Sequence, residues 1–241
     1  MSTPFFKFKK FTVWHDKCGM KVGTDGVLLG AWCNVSNATN ALDMGSGSGL
    51  IALMIAQRNS ALQVDAIDID ADAVEQASEN IKASIYSQRI RVVLGDITQI
   101  GNDNRQGLSE KYALIVSNPP FYKEDVHPTD SRRNNARHTS SLPFSALIEK
   151  AADLLDDNGE FDVIIPFGAA TEFISIAATC GLYLSRRTNI RDSIAKPFKR
   201  SLLAFTKCSA DTEYSELCLR GTDNMYSEAY KELTDDFYLS V

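Results

Sequence analysis

The chain has 241 residues, a formal net charge of −6, and 44% hydrophobic against 23% charged residues. That length gives room for one α/β domain with a sizeable core, and no apolar run approaches the roughly 18 residues of a membrane span. The acidic balance argues against indiscriminate nucleic-acid binding, which rests on phosphate neutralisation. Five scattered cysteines without a Cys-x-x-Cys pair argue against a disulfide framework and a zinc site. No metal is expected.

The N-terminus, Met1 to Lys10, has no apolar signal core, which points to a cytoplasmic address. It carries Lys7, Lys9 and Lys10. Five short strands then alternate with helical patterns, near Ala41–Met44, Gln63–Asp68, Ile90–Leu94, Tyr112–Val116 and Glu160–Ile165. Helices are expected near Leu50–Arg58, Ala71–Ser84 and Phe144–Leu155, with Ala73, Val74, Ala77, Ile81 and Ile85 on one face of the second. Leu182–Ile190 and Ser201–Thr206 read as two closing strands. Alternation of this kind predicts an α/β fold, a Rossmann-like, doubly wound, mostly parallel sheet of about seven strands. Gly101 to Glu110 reads as a polar surface connection. The Arg- and Asn-rich stretch from Glu124 to Ser141 reads as a substrate-binding loop. Met225, Tyr226, Ala229, Tyr230 and Leu233 fall at helical spacing in the tail.

Chemistry concentrates at the strand ends. The first strand runs into Asp43-Met44-Gly45-Ser46-Gly47-Ser48-Gly49, then directly into an apolar helix. Such a loop suits either a pyrophosphate or a smaller adenosine-containing ligand. The spacing is Gly-x-Gly-x-Gly, not the Gly-x-Gly-x-x-Gly of the dinucleotide fingerprint. Asp43 opens the loop, where a pyrophosphate is a poor neighbour and a cationic ligand a good one. Asp68 ends the second strand, placed for the ribose hydroxyls. Asp96 follows the third, placed for the exocyclic adenine amine. Asp43, Gly45, Ser46, Gly47, Gly49, Asp68 and Asp96 therefore describe S-adenosylmethionine better than a nicotinamide dinucleotide.

The fourth strand ends in Ser117-Asn118-Pro119-Pro120-Phe121. Two prolines stop the ladder and hold an Asn, a fixed carbonyl and an aromatic ring where open α/β sheets bind ligands. Asn-Pro by itself is a common turn signal. Beside the loop at 43–49 it reads as a site for a flat molecule bearing an amino group. Asn118 Oδ1 and the Pro119 carbonyl would accept the amino hydrogens, with Phe121 stacked on the ring.

Residues 41–121 resemble the class I S-adenosylmethionine-dependent methyltransferases, and Asn118-Pro119-Pro120-Phe121 is similar to their amino-methylating branch. Met20-Lys21-Val22-Gly23-Thr24-Asp25-Gly26 through Trp32, with the ending Tyr226 to Leu239, resembles the bacterial valine-tRNA (adenine-N6) methyltransferase family. The resemblance implies methylation of the adenine immediately 3′ of the anticodon. It also implies that Thr24 borders the cofactor, that Asn118 touches cofactor and base alike, and that Pro120 and Phe121 line the base site. The implied layout is an N-terminal covering segment at 1–36, a methyltransferase domain at 37–210 and a C-terminal extension at 211–241. Arg132, Arg133 and Arg137 are expected on the phosphates of the anticodon loop and the N-terminal lysines on its stem, with the protein a monomer or weak dimer. His138 reads as a surface residue, and Trp14 and Trp32 as packing residues. An rRNA adenine or guanine methyltransferase fits the core motifs equally. A protein glutamine-N5 methyltransferase shares the Asn-Pro-Pro-aromatic logic but typically ends it in Tyr. A non-catalytic RNA-binding protein would have no use for both intact sites.

Overall fold

Short runs rich in β-branched residues cannot satisfy their backbone alone, so they pair, and the amphipathic helices between them cover both faces of the resulting sheet. The computed structural model describes residues 3–101, 106–120 and 142–239. A hairpin of β1 (Phe5–Lys7) and β2 (Thr12–Trp14) comes first. It is followed by α1 (Thr24–Trp32), β3 (Asn40–Met44), α2 (Leu50–Arg58), β4 (Gln63–Asp68), α3 (Ala71–Lys82), β5 (Ile90–Leu94) and β6 (Tyr112–Ser117). The remainder is α4 (Phe144–Leu154), β7 (Leu155–Pro166), α5 (Ala170–Thr179), β8 (Tyr183–Ser193), β9 (Arg200–Thr206), β10 (Glu213–Arg220) and α6 (Glu228–Thr234).

Eight strands form one sheet in the order β10-β8-β9-β7-β6-β3-β4-β5. Only β9 runs antiparallel to its neighbours. The chain winds outward from β3 through β4 to β5, then returns to place β6 on the other side of β3. That reversal opens a crevice at the carboxyl ends of β3 and β6, where ligands of such sheets bind. Alternate strand residues face opposite layers. Ala41, Val64, Ala66, Leu114, Val116 and Ile164 pack with α1, α2, α3 and α6. Leu42, Met44, Ile67, Ile115, Val163 and Leu203 pack with α4 and α5.

The sheet holds one strand more than expected. β10 has a single buried apolar residue, Leu217, and bears charges along its length, as edge strands do. α5 was also not anticipated, although Ala170, Phe173 and Ala177 repeat at helical spacing on its buried face. In the tail, α6 begins only at Glu228, capped by the Ser227 hydroxyl, so Met225 and Tyr226 precede the helix. Ile85 lies beyond α3 and is exposed, not part of its buried face. Gly23 is the N-cap of α1. No helix among the described residues is long and apolar enough to cross a membrane.

Candidate active site

β3 delivers Asp43 and Met44 to the crevice, and the chain turns through Gly45–Gly49 into α2. Gly45, Gly47 and Gly49 adopt φ of 75°, 53° and 78°, a region that L side chains avoid. No atom of the described residues stands within 4 Å of where a Cβ on Gly45 or Gly47 would project, so among them the loop presents bare backbone. β4 holds the loop in place. The Gly45 and Ser46 N–H groups donate to the Ile67 carbonyl at 2.9 and 3.1 Å, and the Gly47 N–H donates to Asp68 Oδ2 at 2.7 Å.

The three strand-end acids differ in their surroundings. Asp43 is completely buried beneath the loop, where its Oδ2 accepts the Ala52 N–H at 3.1 Å and its Oδ1 has no hydrogen-bond partner among the described residues. Burial pushes its pKa up to about 7, with a further push from the Asp68 charge. A carboxylate with no exposed surface could favour a cation above the loop through its field rather than by contact. Asp68 accepts from Gly47 and, through Oδ1, from the Asp70 N–H at 3.0 Å, and burial raises its pKa as well. Each oxygen keeps acceptor capacity for a hydroxyl. Asp96 Oδ1 accepts the Thr98 N–H at 2.9 Å and its hydroxyl at 2.7 Å. The Gly95 N–H donates to the Asp68 carbonyl at 2.9 Å, which ties the second acid to the third. Beside Asp68, Ile69 is 54% exposed and presents an apolar wall at the same edge.

These residues fit S-adenosylmethionine. The unanswered Asp43 oxygen suits a ligand bearing sulfonium and ammonium charge, Asp68 suits ribose hydroxyls, and Ile69 suits an adenine ring.

On the other side of the crevice, the buried Ser117 hydroxyl donates to the Met44 carbonyl at 2.8 Å, locking the end of β6 to that of β3. Asn118 and Pro120 follow half-buried and Pro119 buried. α1 begins against them: a Cβ on Gly26 would stand 3.0 Å from Leu50 Cδ2 and 3.9 Å from Asn118 Nδ2. Thr24 is exposed at the start of this helix, and Asp25 Oδ2 accepts from Arg200 Nε at 2.7 Å. The structure thus brings Thr24, Asn118, Pro119 and Pro120 to the edge that holds Asp43, the glycines, Asp68 and Asp96. Phe121, Arg132, Arg133, Arg137 and His138 lie outside the described residues.

Residues 22–172 match the family model of the methyltransferase small domain. A protein of Bacteroides fragilis named tRNA1(Val) (adenine(37)-N6)-methyltransferase is 46% identical over 241 residues, covering 100% of both chains. One of the same name from Klebsiella pneumoniae is 43% identical over 97% of this chain and 94% of its own. The chain belongs to this methyltransferase family. Among solved structures, a predicted O-methyltransferase of Agrobacterium tumefaciens superposes with a TM-score of 0.69 at 17% identity, over 88% of this chain and 96% of that one. A putative RNA methyltransferase of Pyrococcus horikoshii gives 0.53 at 14% identity, over 76% and 82%. Both likenesses concern the fold.

In this family member, several site residues have no sequence signal of their own. Asn80, 1% exposed on α3, donates through Nδ2 to the Trp14 and Ser48 carbonyls at 2.8 and 2.9 Å, and its Oδ1 accepts the Trp14 N–H at 2.9 Å. It therefore clamps the N-terminal segment to the glycine loop. Gln76, one turn earlier, accepts the Lys17 N–H at 3.2 Å, and Lys17 Nζ pairs with Glu75 and Glu79 at 2.7 Å each. This strap brings Cys18 within the field of Asp68. Burial and then that charge hold its thiol protonated, with the pKa pushed up to about 11. Trp32 packs as expected, its indole donating to Thr188 Oγ1 at 2.8 Å beneath Arg186. Trp14 packs against Phe5 with ring centroids 4.8 Å apart and planes inclined by 50°, yet stays 44% exposed.

Proposed function

We propose that the protein transfers a methyl group from S-adenosylmethionine to N6 of the adenine 3′ of the anticodon in a valine tRNA, in the cytoplasm. The observation that supports this most is the pairing at one sheet edge of a cation-ready glycine loop with Asn118-Pro119, in a chain 46% identical over its whole length to a protein named for that reaction.

When bound, S-adenosylmethionine supplies an electrophilic methyl that needs no metal for activation. Gly45 to Gly49 and Asp68 hold it, and Asp43 favours its positive charge through the loop. The exocyclic amine of adenine is a poor nucleophile because its lone pair is delocalised into the ring. Asn118 Oδ1 and the Pro119 carbonyl each accept one amino hydrogen, which favours a pyramidal nitrogen whose lone pair points away from both acceptors. Positive charge grows on the base as the new bond forms, and two fixed dipoles stabilise that charge more than the neutral ground state. The Ser117–Met44 bond and the two prolines hold the acceptors rigid, so little reorganisation is needed when the base arrives. Phe121 stacks on the base, and Arg132, Arg133 and Arg137 hold loop phosphates. The surplus proton leaves to water afterwards.

The target must leave its stack to reach a pocket at a strand end, and anticodon loops present unstacked bases. The test is to incubate the protein with labelled S-adenosylmethionine and tRNA from cells lacking this gene, then digest to nucleosides. N6-methyladenosine in valine tRNA is the expected product. Label in rRNA or in protein glutamine, with none in tRNA, would replace the substrate and keep the chemistry.

A further inference from the structure

A second cluster stands on the carboxyl edge, one to three strands from Asn118. β7 ends at Pro166, paired with Arg200 at the start of β9, and Ile190 of β8 pairs with the same Arg200. The 194–199 connection therefore crosses the edge that bears the methyl-transfer site. Phe167, just after β7, and Phe198, just before β9, lie with ring centroids 5.3 Å apart and planes inclined by 34°. Arg187 stands over Phe167 at 5.4 Å and Arg191 over Phe198 at 4.9 Å. Both rings remain half-buried, while Ile194, Lys196 and Pro197 on the connecting turn are exposed.

The cations here outnumber their counter-ions. Arg191 is answered by Glu216 at 2.6 Å, Lys199 by Asp192 and Arg200 by Asp25. Arg187 forms only neutral bonds among the described residues, donating to Asn189 Oδ1 at 2.8 Å and Ser201 Oγ at 3.5 Å. Lys196 has no ion pair among the described residues. On a chain of net charge −6, RNA is repelled on average, so an RNA ligand must be gripped where the local field is reversed. Purely internal packing would account for two arginines over two rings. It would not account for a lysine and a bare isoleucine at the tip of the same turn.

We infer that the Phe167–Phe198 pair, with Arg187, Arg191 and Lys196, is the seat for the RNA segment flanking the target adenine, and this rests on the tRNA reading above. Aromatic rings set among cations are how single-stranded nucleic acid is held without base-specific readout. At about 4.8 Å per strand, Phe198 and the β8 arginines lie roughly 10–15 Å across the sheet from Asn118, and Phe167, one strand away, lies about three residues further along β7. That is too far for the target base and within reach of its neighbours. The aromatic edge takes a flanking base, and Arg187 and Lys196 take phosphates.

The test compares wild type, Lys196→Glu and Phe198→Ala in direct binding to the anticodon stem-loop of valine tRNA, in steady-state methylation and in S-adenosylmethionine binding. Lys196→Glu should weaken RNA binding about tenfold and make its salt dependence shallower by about one ion. Phe198→Ala should weaken it about tenfold without changing the salt slope. For both, kcat at saturating RNA and cofactor affinity should stay within about twofold of wild type. Wild-type RNA affinity and salt slope in both variants would overturn the inference even while wild-type methylation upholds the tRNA reading. A wild type that leaves tRNA unmethylated would sink that reading instead, and the binding arm would still decide the platform. If Phe198→Ala melts early, the surface Lys196→Glu variant decides alone.

Discussion

Two buried aspartates in the same sheet have opposite surroundings. Asp65, near the amino end of β4, is held twice by Arg91 at 2.8 Å and accepts the Tyr112 hydroxyl at 2.6 Å. Asp43, near the carboxyl end of β3, is held once by a backbone N–H and has one oxygen without a partner. Buried polar groups are costly unless answered. The amino end meets that requirement with side-chain donors, whereas the carboxyl end keeps an unanswered oxygen beneath the loop, whose charge a cation above the loop would favour through its field. The unpartnered Ser46 hydroxyl belongs to the same end. Stability is concentrated at one edge and binding at the other.

The largest expected effect within this contrast is at Asp68. Asp68→Ala removes the acceptor of Gly47 and the proposed acceptor for the ribose together, so S-adenosylmethionine affinity should fall at least about 100-fold by calorimetry, with melting lowered only slightly. Asp43→Asn comes next, with affinity about tenfold weaker. Its pH dependence sharpens the contrast. A cationic ligand favours ionised Asp43, so wild-type affinity should rise as pH climbs through about 7 and then level; the Asn variant should lose that rise. Binding curves that remain parallel from pH 6 to 8 would mean Asp43 does not sense the ligand.

At the amino end the readouts should reverse. Tyr112→Phe deprives Asp65 of one donor and leaves the Ser109 N–H without its 3.0 Å acceptor. About 1–2 kcal/mol of stability should go, a melting shift of about 2–8 °C for a chain of this size, with cofactor affinity unchanged. The smallest effect concerns Asp162, buried on β7, with its pKa raised well above 3.8 by burial, then by the Glu160 charge. The folded state holds that proton more tightly than the unfolded chain. Stability therefore falls as pH rises from about 4 toward the folded pKa. Asp162→Asn should flatten part of that slope in urea melts, and an unaltered slope would remove Asp162 as its source.

Much of the layout is legible in the sequence because its signals are local. β4 and β5 coincide with their expected ranges, since each is a short apolar run closed by an acid or glycine. Asp43, Asp68 and Asp96 are legible as strand-end acids, but spacing locates a residue along the chain and not the direction of its side chain. Hence the burial of Asp43 under its own loop could not be foreseen. Ser117, Gln76 and Asn80 are isolated polar residues whose roles depend on contacts 32 to 73 positions away. β10 was hidden for a related reason: an edge strand owes its state to a neighbour, not to its own pattern.

The account turns on Asn118 as the acceptor that prepares the amine. The most direct test measures methyl transfer to valine tRNA and S-adenosylmethionine binding on the same preparation of Asn118→Ala. Transfer lowered by at least about 1000-fold with cofactor affinity within a few-fold of wild type is the predicted result. Turnover near wild type would contradict it, because the amine would then have been activated by some other group.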